Sequence, residues 1–173
     1  MIERENTWAE KSPEVFYSEE IMPLVTAQDI EMLKQKSLKT PRQRSRLCTH
    51  RGEQDKLHEM FIVHHRNTYV RPHKHLNKVE SVHVIEGTAV LIVFGGSGNV
   101  EKRVMLGDHK SGHPFYYRMN SSEYHMLIIT SDTFVFAEAA TGPFDRNDTI
   151  FPEWAPEEKD TEKVQQFMRM VTK

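Results

Sequence analysis

The chain has 173 residues, enough for one sizeable hydrophobic core and too few for two full domains. Its 23 basic and 25 acidic residues are interspersed and leave a formal charge of -2, so neither nucleic acid nor a membrane surface is expected as a partner. The one cysteine, Cys48, excludes an internal disulfide and the thiolate clusters of structural zinc, which fits a reducing cytoplasm.

In chain order, Met1 to Val25 has no clear period and contains Pro13 and Pro23, so it reads as an extended arm with short pairing near VFYS. Its opening, MIERENTWAEKSPE, lacks an apolar core, and the longest apolar run, TAVLIVFGG, is too short to span a bilayer. A soluble, cytoplasmic protein is expected. TAQDIEMLKQKS reads as a helix with Thr26 as N-cap, Asp29 closing a capping box, and Ile30, Leu33 and Ser37 on one face.

From Arg44 to about Ala139 come nine short runs rich in Val, Ile, Phe and Tyr, from RSRLCTH through LHEMFIVHH, TYVRPHKH and VESVHVIEG to TFVFAEAA. Each is bounded by turn residues and no helix intervenes, which argues for an all-β antiparallel sandwich or barrel. GGSGN, at Gly95 to Asn99, is a hairpin loop rather than a phosphate cradle, because no helix follows it. TGPFDRNDTIFPEWAPEEKD is too irregular for strands and is expected to lie across the barrel. The chain ends in a helix with Pro156 near its first turn and Val164, Phe167, Met168 and Val171 on one stripe. The expected division is an arm and helix over 1–43, a barrel over 44–154 and a C-terminal helix over 155–173, within one structural domain.

Ten histidines are the one compositional excess. In a strand, His73 and His75 of RPHKH present both imidazoles to one face. Glu80 begins the following strand and shares parity with Val82 and Val84, so its carboxylate points to an apolar interior, where an unpaired charge is costly. A cation removes that cost. His125 shares parity with Leu127 and Ile129 and is the expected distant ligand. Three imidazoles and one carboxylate suit Zn, Fe, Ni, Cu or Mn.

His73, His75, Glu80 and Gly87 match H-x-H-x4-E-x6-G, and the chain resembles the cupins through this motif. The resemblance implies a jelly-roll barrel, with His125 as the histidine of the second motif. Asn67 stands where the first motif begins with glycine, and NSSEYH replaces the P-x-G-x-x-H turn. More finely, the PHKH segment, Gly142-Pro143-Phe144 and Trp154-Ala155-Pro156-Glu157 resemble the WbuC family of cupin-fold metalloproteins. That likeness implies a divalent metal cofactor and a setting of O-antigen and other surface polysaccharide biosynthesis.

Around this centre, His58 shares parity with Met60, Ile62 and His64, and is either an acid/base near the metal or a histidine bonded to a neighbouring strand. Arg44, Arg46, His50 and Arg71 are candidates to line the barrel mouth and bind a phosphate or carboxylate, Arg71 foremost. Tyr69 and Tyr117 offer hydroxyls to a sugar-like ligand. His64, His65, His109 and His113 are expected in solvent, His83 on the outer face, and Cys48 as a small buried hydrophobe. Three functions fit: a metal-dependent enzyme acting on a sugar-like small molecule, a metal-free keto-sugar-nucleotide isomerase or epimerase, and a ligand-binding module without turnover. Exposed strand edges and the terminal arms point to a homodimer.

Overall fold

A computed structural model describes residues 7–172, so the first residues of the expected arm and residue 173 lie outside the described residues. The arm forms a hairpin, β1 (Trp8–Ser12) and β2 (Val15–Ser18). Helix α1 (Ala27–Ser37) starts at the predicted capping box: the Thr26 N–H donates to Asp29 Oδ2 at 2.7 Å and the Asp29 N–H to the Thr26 hydroxyl at 3.4 Å.

The β region comprises β3 (Arg44–Cys48), β4 (Leu57–His65), β5 (Lys74–His75), β6 (Glu80–Glu86), β7 (Thr88–Phe94), β8 (Val100–Gly107), β9 (Tyr116–Met119), β10 (Tyr124–Ile129) and β11 (Thr133–Thr141). One sheet has the order β1-β2-β3-β4-β11-β6-β9 and a second the order β10-β7-β8. A single antiparallel bridge between His73 and His125 continues the second sheet to β5. The cores of the two sheets, β4-β11-β6-β9 and β5-β10-β7-β8, have the strand order of an eight-stranded jelly roll, in which the chain crosses between sheets at most connections. The join of β2 to β3 is parallel, an exception to the antiparallel pattern.

Strand alternation decides what each face buries. Met60 and Ile62 of β4, Val82 and Val84 of β6, and Phe134 and Phe136 of β11 face Leu91 and Val93 of β7 and Leu127 and Ile129 of β10. The alternate residues Val63 and Val135 point outward and are covered by Leu33 of α1 together with Phe16 and Leu47. On the far side of the second sheet, Ile92, Phe94, Met126 and Ile128 are covered by helix α2 (Thr161–Val171) through Phe167 and Val171. Covering on both faces explains why runs such as IVHH and LIVF do not alternate. Gly87 joins β6 to β7 at φ +82, and a Cβ there would lie 2.2 Å from the Thr133 carbonyl oxygen.

Two elements differ from expectation. TYVRPHKH pairs only at its end, because Pro72 brings no N–H, and Tyr69 and Arg71 reach instead to the C-terminal segment. The last helix begins at Thr161 with Asp160 as N-cap, not near Pro156. Tyr69 Oη donates to the Pro156 carbonyl at 3.0 Å and Arg71 Nη2 to that of Ala155 at 3.0 Å, so these carbonyls are engaged before a helix can form. A strand β12 (Thr149–Ile150) pairs with β5, and Trp154 covers Phe94, which lays the irregular segment across the second sheet as expected. Among the described residues, no helix is long and apolar enough to cross a membrane.

Candidate metal centre

Register brings the predicted ligands together. His73 and His125 sit directly opposite each other across the bridge, with N–H to O distances of 3.1 and 2.9 Å, so their side chains leave the same face. His75 follows on that face by the strand period. Ligand nitrogens of His73, His75 and His125 all lie within 4.8 Å of one another. Glu80 arrives from the opposite sheet, with Oε1 2.9 Å from His125 Nε2 and Oε2 3.2 Å from His75 Nε2.

The second nitrogen of each ring is occupied. His73 Nδ1 is 2.9 Å from the Arg71 carbonyl, His125 Nδ1 is 2.9 Å from the Glu123 carbonyl, and His75 Nδ1 is 3.2 Å from the Thr149 hydroxyl. A ring held through Nδ1 fixes the direction of Nε2, as in metal-ligating histidines, and an ion there would displace the protons that His75 and His125 give to Glu80. Three such nitrogens and one buried carboxylate fit a divalent ion with positions left for a ligand.

Electrostatics show how the buried carboxylate is paired without an ion. Burial pushes the Glu80 carboxyl up, but hydrogen bonds from His125 and His75 outweigh it and hold the group well below the usual carboxylate range. Burial lowers His125, and its bond to Glu80 outweighs that and raises it above 6.5. Burial, with His125 close by, takes His73 down to about 3, so it is a neutral ligand at any physiological pH. His73, held near 3, works against His125 in the metal-free protein, so the signs predict a steeper rise of stability with pH when metal is bound than when it is not. In chelator-stripped protein, the raised His125 contributes stability below 6.5 that is lost as pH rises through its folded value. The depressed Glu80 contributes stability above 4.5 that is lost in acid. Metal-loaded protein needs neutral imidazoles, so its extra stability grows as pH rises. Thermal melts through the neutral range, with chelator and with zinc, check this; parallel slopes would contradict it.

The cluster lies in the wall of a cavity of about 440 Å³. Beside it stands a second acid that the sequence reading missed. Glu138 lies on β11 opposite Val82, which is in turn opposite Tyr117, so all three point inward. Lys78 Nζ sits between the carboxylates, 3.9 Å from Glu80 and 3.7 Å from Glu138. Burial and the Glu80 charge raise Glu138, and burial raises Tyr117 well above its ordinary value. The signal for Glu138 was available, since it shares parity with Phe134 and Phe136 just as Glu80 does with Val82 and Val84.

His58 is inward, paired with Ala140, which pairs with Glu80, so one strand separates it from the site. Its ring stacks on His50 at 4.2 Å, its Nε2 is buried without a partner, and neither histidine is among the residues that line the cavity. A Cβ on Gly142 would lie 2.7 Å from the His58 ring, so the GPF segment closes tightly over it. Arg71 lines the cavity, but Nη2 is bound to Ala155 and the guanidinium lies 4.9 Å from the Phe151 ring. His64 and His65 are not solvated: each is 8% exposed, His65 under α1 with Nε2 2.8 Å from the Ser37 hydroxyl, and His64 in the cavity wall. His83 and His109 are exposed with their Nε2 atoms 3.2 Å apart, His113 is exposed, and Cys48 is buried with its thiol pushed up to about 11.

The jelly-roll strand order and the meeting of HxH, glutamate and distant histidine at one point decide the architecture. The fold is a cupin fold. The family model described as "Domain of unknown function (DUF6016)" matches residues 25–106, and no curated protein matches the sequence. Among solved structures, the chain is similar to protein SO0799 from Shewanella oneidensis at 11% identity, covering 72% of this chain and 78% of that one with TM-score 0.49. It is also similar to the Cellulomonas parahominis L-ribose isomerase, at 15% identity over 62% of this chain and 68% of that one, TM-score 0.49. The capsular polysaccharide assembling protein CapF from Staphylococcus aureus is similar at 18% identity, TM-score 0.47, over 58% of this chain. This chain spans 27% of the CapF chain.

Proposed function

We propose that this cupin is a metal-dependent enzyme acting on a small sugar-like molecule, with His73, His75, His125 and Glu80 holding the ion. The observation that supports it is the convergence of three imidazoles, each tied through Nδ1, with a buried carboxylate against two of them in the wall of a cavity of about 440 Å³. Zinc, iron, manganese and nickel suit this donor set. Such an ion, when bound, supplies Lewis-acid polarisation of a carbonyl or hydroxyl oxygen. Glu138 and Tyr117 face the same space and are placed to hold or move a proton on the ligand, while Lys78 keeps the two carboxylates from repelling each other.

The finer reading, a WbuC-type protein of surface polysaccharide biosynthesis that takes a sugar or sugar nucleotide, rests on the GPF and WAPE segments. Phe144 of the first lines the cavity, and Ala155 of the second is held by Arg71 at its edge. In the same reading the protein is a cytoplasmic homodimer, with Arg71 holding the WAPE segment at the edge of the cavity and His58 one strand behind Glu80. Elemental analysis of tag-free protein, coupled to a screen of nucleotide sugars, tests the proposal. A stoichiometric divalent ion and metal-dependent turnover are expected; the ion with tight binding but no turnover would leave a binding module.

One observation favours a second reading. His125, bonded to Glu80 at 2.9 Å with its proton affinity raised, is an acid–base pair in its own right, as a metal-free keto-sugar isomerase or epimerase requires. Full isomerase activity in chelator-stripped protein, with loss of that activity in Glu80→Gln, would support that reading against the first.

A further inference from the structure

The cavity has a second polar wall that the histidine cluster does not use. β3 and β4 pair with Arg44 opposite His64 and Arg46 opposite Ile62, and all four residues line the cavity. Arg44 is already matched, with Nη1 3.2 Å from Glu158 and Nε 3.6 Å from Glu14, and Arg42 meets the same two carboxylates. Arg46 differs: among the described residues no carboxylate lies within ion-pair distance of it, and its side chain is exposed. Beside this pair of arginines, His64 is 8% exposed, packs edge-on against Phe136, and has its Nδ1 buried without a partner. An unpartnered buried nitrogen is costly, and a ligand atom removes that cost. Basic side chains outnumber acidic ones on the cavity lining by five to four, so the space favours an anion even before a divalent ion is added.

Position sets the shape of that anion. β4 and β11 separate β3 from β6, so Arg46 starts three strand spacings from Glu80, roughly 14 Å across the sheet. Its long side chain shortens this gap to the span of a small molecule. Arg71, the first choice from sequence, lines the cavity with its Nε buried and unpartnered, but its Nη2 is held by backbone carbonyls of the C-terminal segment, and His50 lies outside the cavity.

We propose that Arg46 and His64, with Arg44 beside them, form an anion-binding subsite across the cavity from the histidine cluster. It holds the phosphate or carboxylate of a ligand whose hydroxyl or carbonyl end reaches His73, His75 and His125. The guanidinium fork matches either group, and the ligand class is a sugar phosphate or sugar acid. This deepens the proposed function, since it takes the cavity as the ligand site, but it does not need the ion.

Titration calorimetry tests it with inorganic phosphate, gluconate and neutral glucose as probes, on protein as purified and after chelation. At least one anion is expected to bind roughly tenfold or more tightly than glucose in both preparations, an advantage of about 1.4 kcal/mol or more. Arg46→Ala should weaken that anion by roughly tenfold, Arg46→Lys by less, and His64→Ala measurably, all with unchanged metal content. A response to phosphate alone or to gluconate alone identifies the group the ligand carries. Equal binding of glucose and anions, no binding of either anion, or unchanged affinity in Arg46→Ala would overturn the proposal. Loss of the subsite while the ion is present leaves the metal reading standing. Anion binding through Arg46 in a protein that takes no ion would leave the subsite standing instead.

Discussion

Replacing His125 with alanine is expected to weaken divalent-metal affinity by roughly a hundred- to a thousandfold. Binding at a site of four protein ligands is worth about 10–16 kcal/mol near neutral pH, and an even share of that is about 3–4 kcal/mol. The share is not softened by a further imidazole, because among the described residues the histidines of the ligand cluster are His73, His75 and His125. The variant also leaves Glu80 with His75 as its one imidazole partner, at 3.2 Å, in a buried position. Competition titration with a chromophoric chelator reads the change. An affinity within a few-fold of the unaltered protein would remove His125 from the ligand set.

Phe134→Ala should do the opposite, costing stability and leaving metal content per folded chain unchanged. Phe134 is fully buried on β11, which lies between β4 and β6, and its ring lies tilted against that of Phe136 with centroids 5.3 Å apart. Truncating such a ring costs about 3–5 kcal/mol through lost transfer energy and the cavity left behind. For a chain of this size that lowers the melting temperature by roughly 6 to 20 °C. Calorimetry on metal-loaded protein checks the shift, and elemental analysis of the folded fraction checks the site. A metal loss as large as that of His125→Ala would mean that the site depends on core packing rather than on strand register.

Strand parity made much of this site legible before any coordinates. It placed His73 and His75 on one face, turned Glu80 inward and selected His125, and the register of β5, β6 and β10 brings those four together. The capping box at Thr26 and Asp29 was equally local and equally readable. What parity along one strand does not carry is which strands become neighbours. His64 looked like a turn-adjacent residue in solvent because nothing local shows that the inward end of β4 faces a cavity. Glu138 passed unnoticed within an apolar run, although its own alternation marks it as inward. The C-terminal helix was placed too early because the partners that hold residues 152–156, Tyr69 and Arg71, are distant in sequence. Arg71 was favoured for anion binding for the same reason, since its bonds to that segment are invisible without the fold.

The most direct measurement is elemental analysis of tag-free protein alongside its Glu80→Gln and His73→Ala variants, each dialysed against the same mixture of zinc, iron, manganese and nickel. The account predicts one divalent ion per unaltered chain, a lowered content in Glu80→Gln and near-complete loss in His73→Ala. An unaltered protein that takes up no stoichiometric ion, or a His73→Ala variant that retains it in full, would contradict the account.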